Sequence, residues 1–235
     1  MPMWLGFSVV NNPGKRFSGW KSNMPSDPTN PGSCLACRLR RAECVCAHAP
    51  RLGILTRLIV IIHSKEWRKT TNTGHFARLA IQNAEVRLHG SPHQTVSSAG
   101  IESASASTLV LFPGRGASPL NHDYIAALPR PLTLLVPDGN WNQAKHMMRR
   151  VPMLCLARPV RLAGPGLDLH GLRHNSCPDR MSTFEAIAQA LGILEGEETE
   201  DRLLQFFRQV LERMAHNSRR SARRTARGPV PATGD

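Results

Sequence analysis

The sequence predicts an α/β protein with a mostly parallel sheet and helices on both of its faces. Three observations predict it. Short apolar runs, LIVII at 58–62, TLVLF at 108–112 and LTLLV at 132–136, have the length and bounding residues of buried strands. Stretches with helical spacing follow them, so strand and helix alternate along the chain. At 235 residues, with 41% hydrophobic and 20% charged residues, the chain is large enough for one sizeable α/β domain with a small appendage but hardly for two full domains.

Residues 1–33 repeat Pro, Gly, Ser and Asn without a helical or strand period and read as an irregular leader. Their first segment, MPMWLGFSVVNNPGKRF, has neither a charged start nor a sustained apolar core, as a secretory signal would, and a cytoplasmic protein is expected. In a reducing compartment six cysteines serve as metal ligands and free thiols sooner than as disulfides. Four of them, Cys34, Cys37, Cys44 and Cys46, fall within thirteen residues, a donor set for one tetrahedral zinc. With no ligand position left for water, such a zinc is structural; a chance cluster of free thiols is the alternative. Residues 34–50 are therefore assigned to a small zinc module, 51–218 to the α/β domain and 219–235 to a basic, mobile tail.

In the α/β domain, strand 58–62 leads to a helix expected over 73–84, strand 108–112 stops at Pro113 and Gly114, and strand 132–136 leads through Asp138 and Gly139 to a helix over 142–150. Ser182 and Glu185 have the S-x-x-E spacing of a capping box at the start of a helix reaching Gly192. A last helix buries Leu203, Phe207, Val210, Leu211 and Met214. Lone Cys155 and Cys177 read as small packing residues.

Thirty Lys and Arg against seventeen Asp and Glu give a net charge of +13, which points to a polyanion as partner. Nucleic acid leads that list, because no apolar run approaches the length that spans a bilayer. Arg38 and Arg40, between the cysteines, and the arginines of the tail are placed to meet phosphates, although a solvated charge run accounts for the tail equally well. No protein partner is expected.

Three polar constellations stand where ligands bind in such sheets, beyond the carboxyl ends of strands. The first is His63, Glu66, Arg68, Asn72 and Thr73, after the first strand; Asn72 or Thr73 serves as well as a helix cap, and Glu66 with Arg68 as a surface pair. The second is Asp138-Gly-Asn-Trp141, where the aspartate suits a base, an acceptor or a cap, and the tryptophan a stacking platform or the core. The third runs from Arg173 to Ser182, Thr183 and Glu185, where a helix amino terminus suits an anionic group unless the capping box is its whole purpose.

Taken in order, CLACRLRRAECVC, HSKEWRKTTNTG, LFPG, PDGNWNQA and RMSTFEA resemble the DTW-domain family of tRNA-uridine aminocarboxypropyltransferases, over roughly residues 34–192. The chain departs from the family's Asp-x-Thr-Trp at Asn140, which takes the threonine place. The resemblance implies a fold akin to the knotted SPOUT-type methyltransferases, S-adenosylmethionine as donor and a tRNA uridine as acceptor. It places the donor among Phe112, Pro113, Gly114, Asp138, Arg173, Ser182, Thr183 and Glu185, and the acceptor beside His63, Arg68, Asn72 and Thr73. It also makes Asp138, Trp141 and Glu66 the candidate catalytic residues, with Asp138 first as base. A methyltransferase, a relative acting on ribosomal RNA and a non-catalytic zinc-containing RNA-binding module are the competing readings.

Overall fold

The computed structural model describes residues 32–90, 96, 108–163 and 181–216, and the backbone of 217–226. Within them a six-stranded sheet is parallel throughout: β1 (Arg57–His63), β2 (Ala84–His89), β3 (Thr108–Leu111), β4 (Ser118–Pro119), β5 (Thr133–Asp138) and β6 (Arg158–Arg161), in the order β2-β1-β5-β3-β6-β4. The helices are α1 (Ser64–Trp67), α2 (Ala77–Ala80), α3 (His122–Ala126), α4 (Trp141–Arg150), α5 (Pro152–Leu156), α6 (Thr183–Glu195) and α7 (Glu197–Ala226).

The period-two pattern of the strands builds a core on each face of the sheet. On one face Leu58, Val60 and Ile62 of β1, with Leu109, Leu111, Leu134 and Val136, pack with Phe184, Ile187 and Leu191 of α6 and Phe207 of α7. On the other, Ile59, Ile61, Val110 and Leu135 pack with Met147 of α4 and Leu154 of α5. The three apolar runs are thus strands buried on both faces, as expected, and every β1 residue from Leu58 to Ile62 is fully buried.

The segment expected as one helix over 73–84 differs. It forms a 3-10 turn, Gly74–Phe76, and the single turn α2, then extends at Ile81 into β2, which pairs with β1 from Leu58↔Ala84 to His63↔His89. The reason is an alternation that a helical reading passes over. Ala84, Val86 and Leu88 pack on the core, while Glu85 of the same strand is bonded by Arg57 at 3.0 Å and Arg87 at 2.8 Å. Once the neighbouring β1 offers unpaired amides and carbonyls, that alternation is satisfied only as a strand.

The last helix is longer than expected. Its buried stripe includes Leu203, Phe207, Val210 and Leu211, with Met214 packed at the edge, but the backbone stays helical to Ala226, past the start assigned to the tail at Arg219. Arg and Ala are strong helix formers, so a basic segment rich in both extends the helix instead of fraying at once. Residues 227–235 and the leader 1–31 lie outside the described residues.

The cysteine segment and the sheet belong to one compact unit beginning at Gly32. Cys37, Leu39 and Val45 enter the same core as β1, and Arg78 of α2 donates to the Ala36 carbonyl at 2.7 Å. No described helix is long and apolar enough to cross a membrane.

Candidate functional site

β5 delivers Asp138 at its carboxyl end, in register with Ile62 of β1. The side chain is buried and ties three segments together. Asn72 Nδ2 donates to Oδ2 at 2.6 Å and Thr183 Oγ1 donates to Oδ1 at 2.5 Å, joining the loop after α1 and the start of α6 to the strand end. Gly74 lies so close that a Cβ there would strike Oδ2 and come within 3.3 Å of the Thr183 methyl, so only glycine fits this approach. Burial pushes the Asp138 pKa above the ordinary carboxylate value, against the two hydrogen bonds; nearby Glu66 adds to the rise.

Behind Asn72 stands His75, a residue the sequence reading assigned no role. Burial pushes its pKa down to about 3, so the ring is neutral and carries one N–H. Nε2 faces the Cys37 carbonyl at 3.1 Å and Nδ1 faces Asn72 Oδ1, both acceptors, so the single proton of the neutral ring bonds one of the two oxygens. Nδ1 lies 3.2 Å from Asn72 Oδ1. A continuous line of contacts thus connects the backbone of Cys37, through His75 and Asn72, to the Asp138 carboxylate.

The four cysteines converge as their spacing predicts. Cys34 Sγ and Cys46 Sγ are 3.7 Å apart, Cys37 Sγ and Cys44 Sγ are 3.7 Å apart, and all four sulfurs lie within 4.8 Å of one another. Tetrahedral zinc with Zn–S bonds of about 2.3 Å separates its sulfurs by about 3.8 Å. The donor set therefore fits one such ion and is too wide for disulfides.

The other predicted residues divide. Phe112 stacks on Trp141 with ring centroids 5.1 Å apart and planes 14° apart, and Trp141 keeps 53% of its surface exposed. It is an exposed residue at the start of α4 and not a core residue. Beside it Gly114 N donates to the Phe112 carbonyl at 2.7 Å, and Pro113 is exposed. Thr73 is buried beside Asn72, and Arg68 is exposed just after α1. His63 caps α1, its Nδ1 accepting from Lys65 N at 3.1 Å, and its ring sits 6.3 Å from that of His89.

Glu66 is paired with Lys69 at 2.7 Å and touches Asp138 only through its field. Ser182 and Glu185 bond each other in a capping box, Ser182 N to Glu185 Oε2 at 2.7 Å and Glu185 N to Ser182 Oγ at 3.2 Å, so Thr183 is the residue of that motif that reaches Asp138. Arg38, expected to meet phosphate, lies over the Trp67 ring at 4.3 Å and donates to the Trp67 carbonyl. Arg40 is half-buried beside the bridge between Ser33 and itself. Arg38 is thus built into the seam between the cysteine segment and α1. Arg173 and Cys177 lie outside the described residues.

Comparison with known proteins bears on this arrangement. The profile described as "DTW domain" matches residues 32–215, from the cysteine segment through α7. The chain belongs to the DTW domain family. Among curated relatives, a Drosophila melanogaster protein named tRNA-uridine aminocarboxypropyltransferase 2 is 27% identical over 179 residues, covering 72% of this chain and 70% of its own. A Mus musculus protein of the same name is 26% identical, covering 69% of this chain and 56% of its own. An Arabidopsis thaliana protein named tRNA-uridine aminocarboxypropyltransferase A is 26% identical, covering 76% of this chain and 79% of its own. No solved structure matches the chain.

In this DTW domain Asn140 is the N-cap of α4. Its Oδ1 accepts from Gln143 N at 2.9 Å, and Gln143 Oε1 accepts from Asn140 N at 2.7 Å. Threonine and asparagine both serve as N-caps, so either residue can cap α4 at this position. Urea unfolding is expected to show Asn140→Ala less stable by about 1 kcal/mol and Asn140→Thr within a few tenths of a kcal/mol of the parent. A loss with threonine as large as with alanine would mean that Asn140 does more than cap.

Proposed function

We propose that this DTW domain transfers the 3-amino-3-carboxypropyl group of S-adenosylmethionine to N3 of a tRNA uridine, in the cytoplasm, and releases methylthioadenosine. The single observation that carries the reading is the buried Asp138, held by Asn72 and Thr183 at the carboxyl end of β5, in a chain whose relatives bear that name. The all-parallel sheet with helices on both faces supports the SPOUT-like fold that accompanies the reading.

The chemistry asks the protein for two things. Uridine N3 must lose its proton, and of the three carbons beside the sulfonium the side-chain methylene must be the one facing N3. N3 then bonds to that methylene as its bond to sulfur breaks, and the sulfur keeps the electron pair. Asp138 is the group that receives the N3 proton, since burial has raised its proton affinity and each bonded oxygen retains a second lone pair. Asn72 and Thr183 hold the carboxylate in a single orientation.

Phe112, Pro113 and Gly114, with the start of α6 at Thr183 and Arg173 beyond the described residues, are assigned to the donor, whose carboxylate suits a helix amino terminus. His63, Arg68 and Thr73 are assigned to the acceptor side. Trp141 offers a face for a base to stack on. Cys34, Cys37, Cys44 and Cys46 would hold a zinc that closes the amino-terminal segment and takes no part in the transfer.

The test is incubation with unmodified tRNA transcript and S-adenosylmethionine labelled in the aminocarboxypropyl carbons, followed by digestion and nucleoside mass analysis. Label in a modified uridine together with methylthioadenosine is the expected result. A methyl adduct would make the protein a methyltransferase, and tight tRNA binding with no transfer would make it a binding module.

A further inference from the structure

Helix α4 begins three residues after Asp138 and carries no acidic residue. Ala144 and Met147 turn inward to the core, while Asn142, Lys145, His146, Arg149 and Arg150 are exposed. Their spacing of three, four, seven and eight residues from Asn142 puts them on one stripe. No carboxylate among the described residues is paired with Lys145, Arg149 or Arg150.

The helix dipole gives a local reason for Arg149 and Arg150, which stand in the last turn, but none for Lys145 and His146 one turn earlier. Lys145 and Arg149 are also like charges four residues apart, an arrangement that weakens a helix. The stripe extends toward the neighbouring strand ends, because His146 lies within electrostatic reach of both His63 and His89. By contrast, Arg38, expected from sequence to meet phosphate, is engaged with Trp67. An unneutralised basic stripe on the helix that follows Asp138 calls for an anion supplied from outside.

We infer that the exposed face of α4 is the track for the RNA backbone flanking the target uridine, with Lys145 and Arg149 as its phosphate contacts. The inference rests on the tRNA reading above and adds to it a surface and a direction. At 1.5 Å of rise per residue, Lys145 lies about 6 Å and Arg149 about 12 Å along the helix from Trp141. The strand therefore leaves the site along α4 once its base has entered beside Trp141. The contacts are to phosphate and carry no sequence preference.

The test is binding of an unmodified tRNA transcript by fluorescence anisotropy across a KCl series. Lys145→Gln combined with Arg149→Gln removes two phosphate contacts with a residue that favours helix equally well. The expected result is roughly tenfold weaker binding at low salt and a salt slope shallower by about 1.4–1.8. KM for tRNA should rise while kcat and donor affinity hold. A second variant, Lys145→Arg with Arg149→Lys, keeps the charges and should keep affinity and slope.

Arg202→Gln with Arg208→Gln, on the exposed face of α7, removes the same net charge and should leave both nearly unchanged. If the α4 variant binds with the parent's affinity and slope, or the α7 variant loses as much, α4 is not the track. A parent protein that binds no tRNA overturns this inference together with the proposed function, whereas parental binding with an unaltered α4 variant overturns this inference alone.

Discussion

Cys44→Ser is expected to lower the melting temperature by about 10 °C or more, and the parent purified without added metal is expected to carry one equivalent of zinc. The sulfur separations fit a tetrahedral thiolate site, and metal binding to a site formed only in the folded chain adds its free energy to folding. Cys44 is the informative position because it is partly exposed, so serine there removes a ligand without opening the core, as it would at the fully buried Cys37. Calorimetry and elemental analysis together decide the matter. Metal well under one equivalent with an unchanged melting temperature would leave four free thiols.

The same change should reach the reaction centre. His75 lies between the Cys37 carbonyl and the side chain of Asn72, which holds Asp138, so loosening the cysteine segment is expected to loosen the carboxylate. Chelation should therefore depress transfer to tRNA before the sheet unfolds. The far side of the sheet, packed through Ile59, Ile61 and Met147, shares none of these contacts.

Asp138→Ala is expected to reduce kcat by about 10²- to 10⁴-fold, the range for removal of a positioned general base. It also leaves the Asn72 amide without its partner in a buried place, at a cost of about 1–3 kcal/mol in stability. Asp138→Asn separates the two effects, since the amide keeps the shape, accepts from Asn72 and donates to Thr183, but cannot take a proton.

The pH dependence has a definite sign. Because burial raises the folded pKa of Asp138, its contribution to stability is fully present below the unfolded pKa and is lost as pH rises through the folded value. Asp138→Asn, which has no charge to bury, should gain stability relative to the parent as pH increases from the acid range to neutral, in urea unfolding at matched pH values. In activity, the acid limb of the parent's kcat/KM profile should lie above the ordinary aspartate value. A stability difference of the opposite sign would mean that the bonds from Asn72 and Thr183 outweigh burial, leaving a low-pKa anion that orients substrate without accepting its proton.

The three double-faced strands, the helix over 142–150, the helix start at Ser182 and the convergence of four cysteines were legible in the chain. Each is encoded locally, in an apolar run, a capping spacing or a cluster within thirteen residues, so it needs no distant partner to be recognised. The order of motifs was enough to point to the DTW family, and residues 32–215 match it. The edge strand β2 was not recognised, because half-buried alternation becomes a strand only when β1 lies beside it.

Tertiary structure alone decided which polar residues work together. Nothing in sequence spacing tells that Asn72 and Thr183, sixty-six residues back from Asp138 and forty-five residues on, close on one carboxylate. Nor does it tell that Ser182 and Glu185 satisfy each other, or that Arg38 stacks on Trp67 while Trp141 stays exposed. A hydrogen bond or a buried charge depends on where side chains meet in three dimensions, and parallel pairing brings segments far apart in the chain to the same end of the sheet. Composition and periodicity determine which segments become strands and helices; the packing of those segments determines which of their polar side chains meet at the site.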